Sequence, residues 1–353
     1  MKLTRRTLLT LAGLAALGIA VPSCRQMLLQ MLFSPKARPV PPPSPAANPF
    51  RSGPRSLVSI VHGEDVPRMV QRAVDLIGGI ARLNLVGTAA LVKPNVVSGE
   101  PAPATTDPRV VRAFLGMAKS AGASRLAVGD MSAVLALPTR PKLERTGMAA
   151  AAREMGAELL AFDEGEWVEV RPPDVTHATL VYVAKAAHEA ERLISVPVIK
   201  THRSASYSCA LKNTVGCVHG KNKPWAYGSA AWEPVIAELN AAVRAHLYIV
   251  DGLQSMVRGG PWSGDAVPTR VILASGDPIA TDVVALAIIK HFARWELVTA
   301  KGVWEQAQIE RAASLGLGAR GPHEVELVAE DLTGDDPGFR RLLRDIRQYV
   351  GLG

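Results

Sequence analysis

The chain has 353 residues, 48% of them apolar and 20% charged, with a formal net charge of +8. That length and apolar share exclude a disordered chain and fit one large domain, or two small ones, around a real core. The charge sits at the front: residues 1–55 hold eight basic side chains (Lys2, Arg5, Arg6, Arg25, Lys36, Arg38, Arg51, Arg55) and no acidic one, leaving 32 basic against 32 acidic in a neutral body with few aromatics, which excludes nucleic acid as a main partner.

The opening Thr4-Arg5-Arg6-Thr7-Leu8-Leu9, followed by an apolar run to about Val21, has the basic start and short hydrophobic stretch of an export signal. Its paired arginines point to the twin-arginine route. An ordinary secretory signal or an N-terminal anchor is the competing reading, although the run is short for a spanning helix. Cys24 follows Val21-Pro22-Ser23, which resembles a lipoprotein-processing site except for Pro22. Residues 1–34 are therefore expected to be a leader or membrane tether, and the proline-rich 35–55 an extended, semi-rigid linker. The twin-arginine export machinery is then a partner, and the location is the periplasm or the outer face of the cytoplasmic membrane. An α/β domain is expected over 56–330 and a C-terminal helix over 331–353.

Within the body, apolar strands alternate with amphipathic helices: a strand at 57–61 and a helix at 66–81, a strand at 89–93 and a helix at 108–121, a strand at 126–129 and a helix ending near Met155. A strand at 193–199, a short helix at 209–218, a helix at 233–244, strands at 247–250 and 271–274 and a helix at 278–292 continue the rhythm. The expectation is an α/β fold with a mostly parallel sheet, helices on both faces and two lobes as an option. A last helix at 339–350 is expected to be peripheral. No repeat period of a solenoid or propeller occurs.

In such a sheet ligands bind beyond the carboxyl ends of the strands. Lys93-Pro94-Asn95 and Lys200-Thr201-His202 each follow an apolar strand and place a cation there, a pair suited to an anion. Ala210-Leu211-Lys212-Asn213-Thr214-Val215-Gly216 interrupts an apolar helix with polar groups, and Gly216 permits close backbone approach. His219-Gly220-Lys221-Asn222-Lys223 is a basic loop suited to phosphate or carboxylate, although neither a phosphate loop nor a dinucleotide fingerprint occurs.

Asp130 and Asp251 end two further strands and, with His202 and His219, offer mixed oxygen and nitrogen ligands for a divalent metal. Asp282 lies on an apolar helix face and needs a partner, for which Lys93, Lys200 and Lys212 are candidates. Asp107-Pro108 and Asp277-Pro278 are read as helix starts, with aspartate as N-cap and proline in the first turn. Cys209 and Cys217 are too few for a cluster, and a helix between them would separate them by roughly 12 Å, beyond disulfide reach.

Taken in order, Leu91-Val92-Lys93-Pro94-Asn95, Thr105-Thr106-Asp107-Pro108, Val128-Gly129-Asp130, Val198-Ile199-Lys200-Thr201-His202, Ala210-Leu211-Lys212-Asn213, Val250-Asp251-Gly252 and the stretch from Ala274 to Asp282 resemble the family called domain of unknown function 362. The resemblance spans roughly residues 56 to 292. Some members of that family look like iron-sulfur proteins through an added ferredoxin module. This chain has no cysteine after Cys217, so no iron-sulfur cluster of its own is expected.

Two functions compete. One is an enzyme acting on a small anionic substrate, with Lys93, Lys200 and Lys212 holding charge and His202 or His219 moving a proton. In that reading Asn95, Thr201, Asn213, Gly216, His219 and Lys221 complete the ligand site, and Asp130, Asp251 and Asp282 are the metal candidates. The other is a non-catalytic module that holds an anionic cofactor or a metal during maturation, with no chemistry of its own.

Overall fold

The computed structural model describes residues 22–44, 47–292 and 295–353. The stretch 1–21, which carries the expected twin-arginine signal, lies outside the described residues.

The main sheet has eleven strands. Its continuous path runs β14 (Val325–Asp331), β3 (Arg55–His62), β13 (Gly264–Ser275), β12 (Leu247–Gly259), β9 (Arg192–Val196), β4 (Ala89–Pro94), β5 (Arg125–Asp130) and β6 (Glu158–Ala161). The pairs from β12 through β9, β4 and β5 to β6 are parallel, and so is β14 with β3. Only β13 runs against its two neighbours on this path. The short β2 (Arg51–Ser52) extends β3, and β10 (Val198–His202) pairs with the second half of β12 and with β11 (Ser206–Ser208). The sheet is thus the expected mostly parallel one.

Helices cover both faces because their apolar stripes match the sheet. On one side lie α2 (Val66–Leu76), capped by Asp65, and α3 (Pro108–Ser120), capped by Asp107, with α4 (Met148–Met155) beyond. As the sequence indicates, Asp107 accepts from the Arg109 amide and Asp277 from the amides of Ile279 and Ala280, so both Asp-Pro pairs start helices. On the other side α7 (Pro278–Phe292) is buried all round from Pro278 to Ile289, which suits its unbroken apolar sequence. Short pieces α5 (Ala210–Asn213) and α6 (Trp232–Leu239) precede it in the chain.

Three outer segments are bound more tightly than the sequence suggests. The last helix, α9 (Pro337–Val350), is not peripheral: Phe339, Leu342, Ile346 and Val350 form one stripe buried in the same core as α7. Within the proline-rich stretch, β1 (Ala37–Val40) adds in parallel to β7 (Trp167–Val170), which pairs with β8 (Val181–Ala184) in a separate three-stranded sheet. A strand pairing thus holds residues 37–40 of the expected linker, and Phe50 is fully buried. Before it, α1 (Pro22–Leu32) docks on the body: Gln30 is buried and accepts from the Gly220 amide at 2.9 Å, and Gln26 donates to Asp163.

Candidate functional site

A cavity of about 460 Å³ opens at the carboxyl ends of the parallel strands. Side chains alternate along a strand, so Leu91 and Lys93 of β4 share a face, and the strand's end delivers Lys93 to the cavity. The neighbouring β5 delivers Asp130 and the parallel β10 delivers Lys200 and His202. The α5 segment adds Lys212 and Asn213, and the backbone turn after it brings Gly216. Lys93, Lys200, Arg203, Lys212 and Lys223 thus surround the cavity, with Asp130 as the carboxylate among them.

These cations differ in how much of their bonding capacity the protein already uses. An ammonium has three N–H donors. Lys93 Nζ bonds Asp130 Oδ1 at 2.6 Å, the Pro94 carbonyl at 2.9 Å and Asn213 Oδ1 at 3.2 Å. Lys200 Nζ bonds Asn95 Oδ1 at 2.7 Å, the Ala104 carbonyl at 2.6 Å and the Pro261 carbonyl at 3.4 Å. Both are saturated. Lys223 Nζ spends one donor, on the Val215 carbonyl at 2.6 Å. Among the described residues no hydrogen bond or ion pair reaches the Lys212 ammonium; burial first, then repulsion from Lys93, draws it down to about 8.

The saturated pair belongs to a polar chain. Asp130 accepts from the amides of Val96 and Met131 as well as from Lys93. Asn213 joins Lys93 to Asn95 through Oδ1 and anchors itself on Ser195 Oγ at 2.9 Å through Nδ2. Asn95 passes the chain on to Lys200. Gly216 lies against the Lys93–Asp130 pair: a Cβ there would sit 2.6 Å from Lys93 Nζ and strike Asp130 Oδ1, so any side chain would break the pair apart. Burial, with Lys212 adding repulsion, draws Lys200 down to about 7, while its three acceptors match the three hydrogens of the charged form. Burial first draws Lys223 down to about 7 as well.

His202 stays neutral, because burial and then the charges of Lys212 and Lys200 hold it well below its ordinary value. Its Nδ1 lies 3.1 Å from the Ser204 amide and accepts from it, which leaves the hydrogen on Nε2. His202 therefore offers the cavity a donor rather than a base.

Several expected residues stand elsewhere. Thr201 alternates to the opposite face of β10, and its Oγ1 is buried without a partner. His219 packs edge-on against Trp167 and near Tyr182, accepts from the Lys221 amide, and neither it nor Lys221 lines the cavity. Asp282, expected to pair with a lysine, instead receives the amides of Ala210 and Leu211 and the Tyr207 hydroxyl, and so holds α5 on α7. Asp251 receives the amides of Asp107 and Leu253. The three metal candidates are thus spent on different jobs, and among the described residues no group of three His, Cys, Asp or Glu side chains could hold a metal. Cys209 and Cys217 are free, buried thiols, joined by α5 and a 3₁₀ turn rather than one helix.

The cavity also has an upper half that the sequence reading missed. Trp225 and Trp262 remain 39% and 42% exposed at its mouth, Trp232 lines the wall with its indole N–H buried and unpartnered, and Met31 arrives from α1. Lys223 adjoins Pro224-Trp225 in the basic loop, a signal that was available there. Trp262 sits in Gly259-Gly260-Pro261-Trp262-Ser263-Gly264, glycines flanking the tip of a hairpin between two strands. Gly260, at φ +78°, lies against the Thr201 carbonyl with no room for a Cβ, and this close approach presses the β12–β13 tip onto the end of β10.

The family model for the Domain of unknown function (DUF362) matches residues 90–287. A thylakoid-associated protein of Synechocystis sp. is 26% identical over 221 residues, which is 61% of this chain and 67% of that protein. The matched span contains the cavity groups from Lys93 to Trp262, while Met31 precedes it. Among the described residues no helix is long and apolar enough to cross a membrane.

Proposed function

This chain belongs to the family of the domain of unknown function DUF362, and we propose that it binds a small anionic ligand in the cavity at the strand ends, with Lys212 and Lys223 as the charges that meet it. One observation carries the reading: Lys212 is a partly buried ammonium that lines an open cavity and has no acceptor among the described residues, beside a chain of polar groups that are otherwise satisfied. A cation without a counter-charge is costly to bury, and an anion removes that cost. Lys93 and Lys200, the pair the sequence offers to an anion, act as the rigid floor beneath it. His202 Nε2–H adds a neutral donor.

Calorimetric titration with inorganic phosphate and with acetate tests the reading. Binding is expected in the wild type and weakened at least tenfold in Lys212→Met, the loss of one charge-assisted contact. An unchanged affinity in that variant removes the proposal. Catalysis is a second reading, favoured by the lowered affinity of Lys212 for its proton, which leaves a minor fraction as free amine near neutral pH and suits it to base or nucleophile work.

We place the site outside the cytoplasm, delivered by the twin-arginine route and tethered near a membrane through the N-terminus. Arg5-Arg6 ahead of the apolar run supports export. The thylakoid association of the Synechocystis relative fits a membrane setting. Cell fractionation of the Arg5→Lys, Arg6→Lys double variant checks it: retention in the cytoplasm is expected, and unimpaired export would refute the route.

A further inference from the structure

The two halves of the cavity ask for two different kinds of matter. Above the Lys93–Lys200 floor, one wall presents charge and a donor: Lys212, Lys223 and His202 Nε2–H. The mouth presents flat apolar surface: Trp225 on the 3₁₀ turn Pro224–Tyr227 and Trp262 on the β12–β13 tip, each more than a third exposed. Large aromatics are rarely left in water without a role, and a concave site is where a contiguous apolar surface marks a ligand.

These tryptophans are not loosely hung. The Gly260 approach to the Thr201 carbonyl and the Pro261 carbonyl bond to Lys200 fix the hairpin tip that carries Trp262. Lys223, bonded to the Val215 carbonyl, fixes the turn that carries Trp225. Lys200 of the floor and Lys223 of the wall therefore set the positions of the aromatic rims, so that the distance between charge and ring is built in. At about 460 Å³ the cavity exceeds what phosphate or acetate alone would fill and suits a ligand with a body as well as a head.

We propose that the ligand is an aromatic anion, a planar ring system carrying one carboxylate or phosphate, its charged head on Lys212 and Lys223 and its ring against Trp225 and Trp262. This rests on the anion-binding reading above and adds the body to the head. Ring against indole contributes through buried area and through stacked or edge-on contact. The exposed Arg203 at the rim can lie over the same ring system.

The test uses the full chain and four probes: 2-naphthoate, 2-naphthyl phosphate, 2-naphthol and inorganic phosphate, titrated by calorimetry and followed by tryptophan fluorescence. Both naphthyl anions are expected to bind about tenfold or more tighter than inorganic phosphate, with neutral 2-naphthol weaker than either. Trp262→Ala and Trp225→Ala should each cost the naphthyl anions several times more affinity than they cost inorganic phosphate; the intact circular dichroism of each variant shows that it folds. Equal affinity for naphthyl phosphate and inorganic phosphate, with no effect of either tryptophan, would overturn the aromatic body while leaving the anion site standing. Failure of every anion to respond to Lys212→Met would instead remove the anion-binding reading beneath it.

Discussion

Lys93 and Lys212 line one cavity, carry the same functional group and lie near enough for Lys93 to disturb the charge of Lys212, yet they are built for opposite purposes. Lys93 arrives on a strand and has each of its three donors met, one by the buried carboxylate of Asp130. Lys212 arrives on a four-residue helix followed by an irregular turn and has none met among the described residues. The same contrast separates Lys200 from Lys223. Counting donors against acceptors, rather than counting charges, sorts structural cations from ligand-facing ones.

The largest expected effect sharpens this contrast on stability. Asp130→Ala leaves Lys93 buried beside three bonding partners reduced to two and frees the amides of Val96 and Met131. Removing one partner of a buried pair costs roughly 3–5 kcal/mol, and chemical denaturation should find a loss of that size. Lys212→Met, in contrast, deletes a charge without a partner and keeps the volume, so the unfolding free energy should hold or rise. Equal losses in the two variants would break the comparison, because Lys212 would then have a structural partner of its own.

The floor was readable from the chain because strands advertise themselves. Runs such as 89–92 and 194–199 are mostly apolar, and although Pro197 splits the second into β9 and β10 rather than the one expected strand, the polar residues at the end of each run are placed by the geometry of a parallel sheet. Lys93, Asn95, Lys200 and Asp130 could be placed in this way. The long, uniformly apolar α7 was legible for the same reason. What was not legible is what depends on pairing at a distance. Asp282 looked like a lysine's partner, but backbone amides of α5 reach it first, and amide positions leave no trace in composition. The stripe on α9 is plain in sequence, yet only its contact with α7 makes it core rather than surface. The proline-rich stretch reads as extended, and at Ala37–Val40 it forms a strand; that β7 is waiting for it cannot be read from prolines. The mouth was missed because tryptophans in turns carry no periodicity, so Trp225 and Trp262 become a site only once two loops are folded over one floor.

The smallest expected effect separates the two lysines by pH. Burial holds Lys212 at about 8 in the folded chain, below the value of a free lysine, so the folded state disfavours its charged form. The resulting penalty on the empty protein is complete below pH 8 and is relieved as the pH climbs through about 8 toward 10.5, which makes stability from this group rise with pH. Anion affinity has the opposite sign, since the attraction disappears as the ammonium is lost over the same interval. Lys200, Lys223 and His202 share the cavity and contribute their own slopes. The informative quantity is therefore the difference between wild type and Lys212→Met. Removing Lys212 also relieves Lys200 and Lys223, both of which it presses downward, and that shifts their slopes in the same sense. Thermal melts from pH 7 to 10 should rise less steeply in the variant, and phosphate titrations should lose most of their decline. If the melting slopes of the two proteins coincide, Lys212 is not the desolvated, unpaired charge that distinguishes the ligand-facing side of the cavity from its floor.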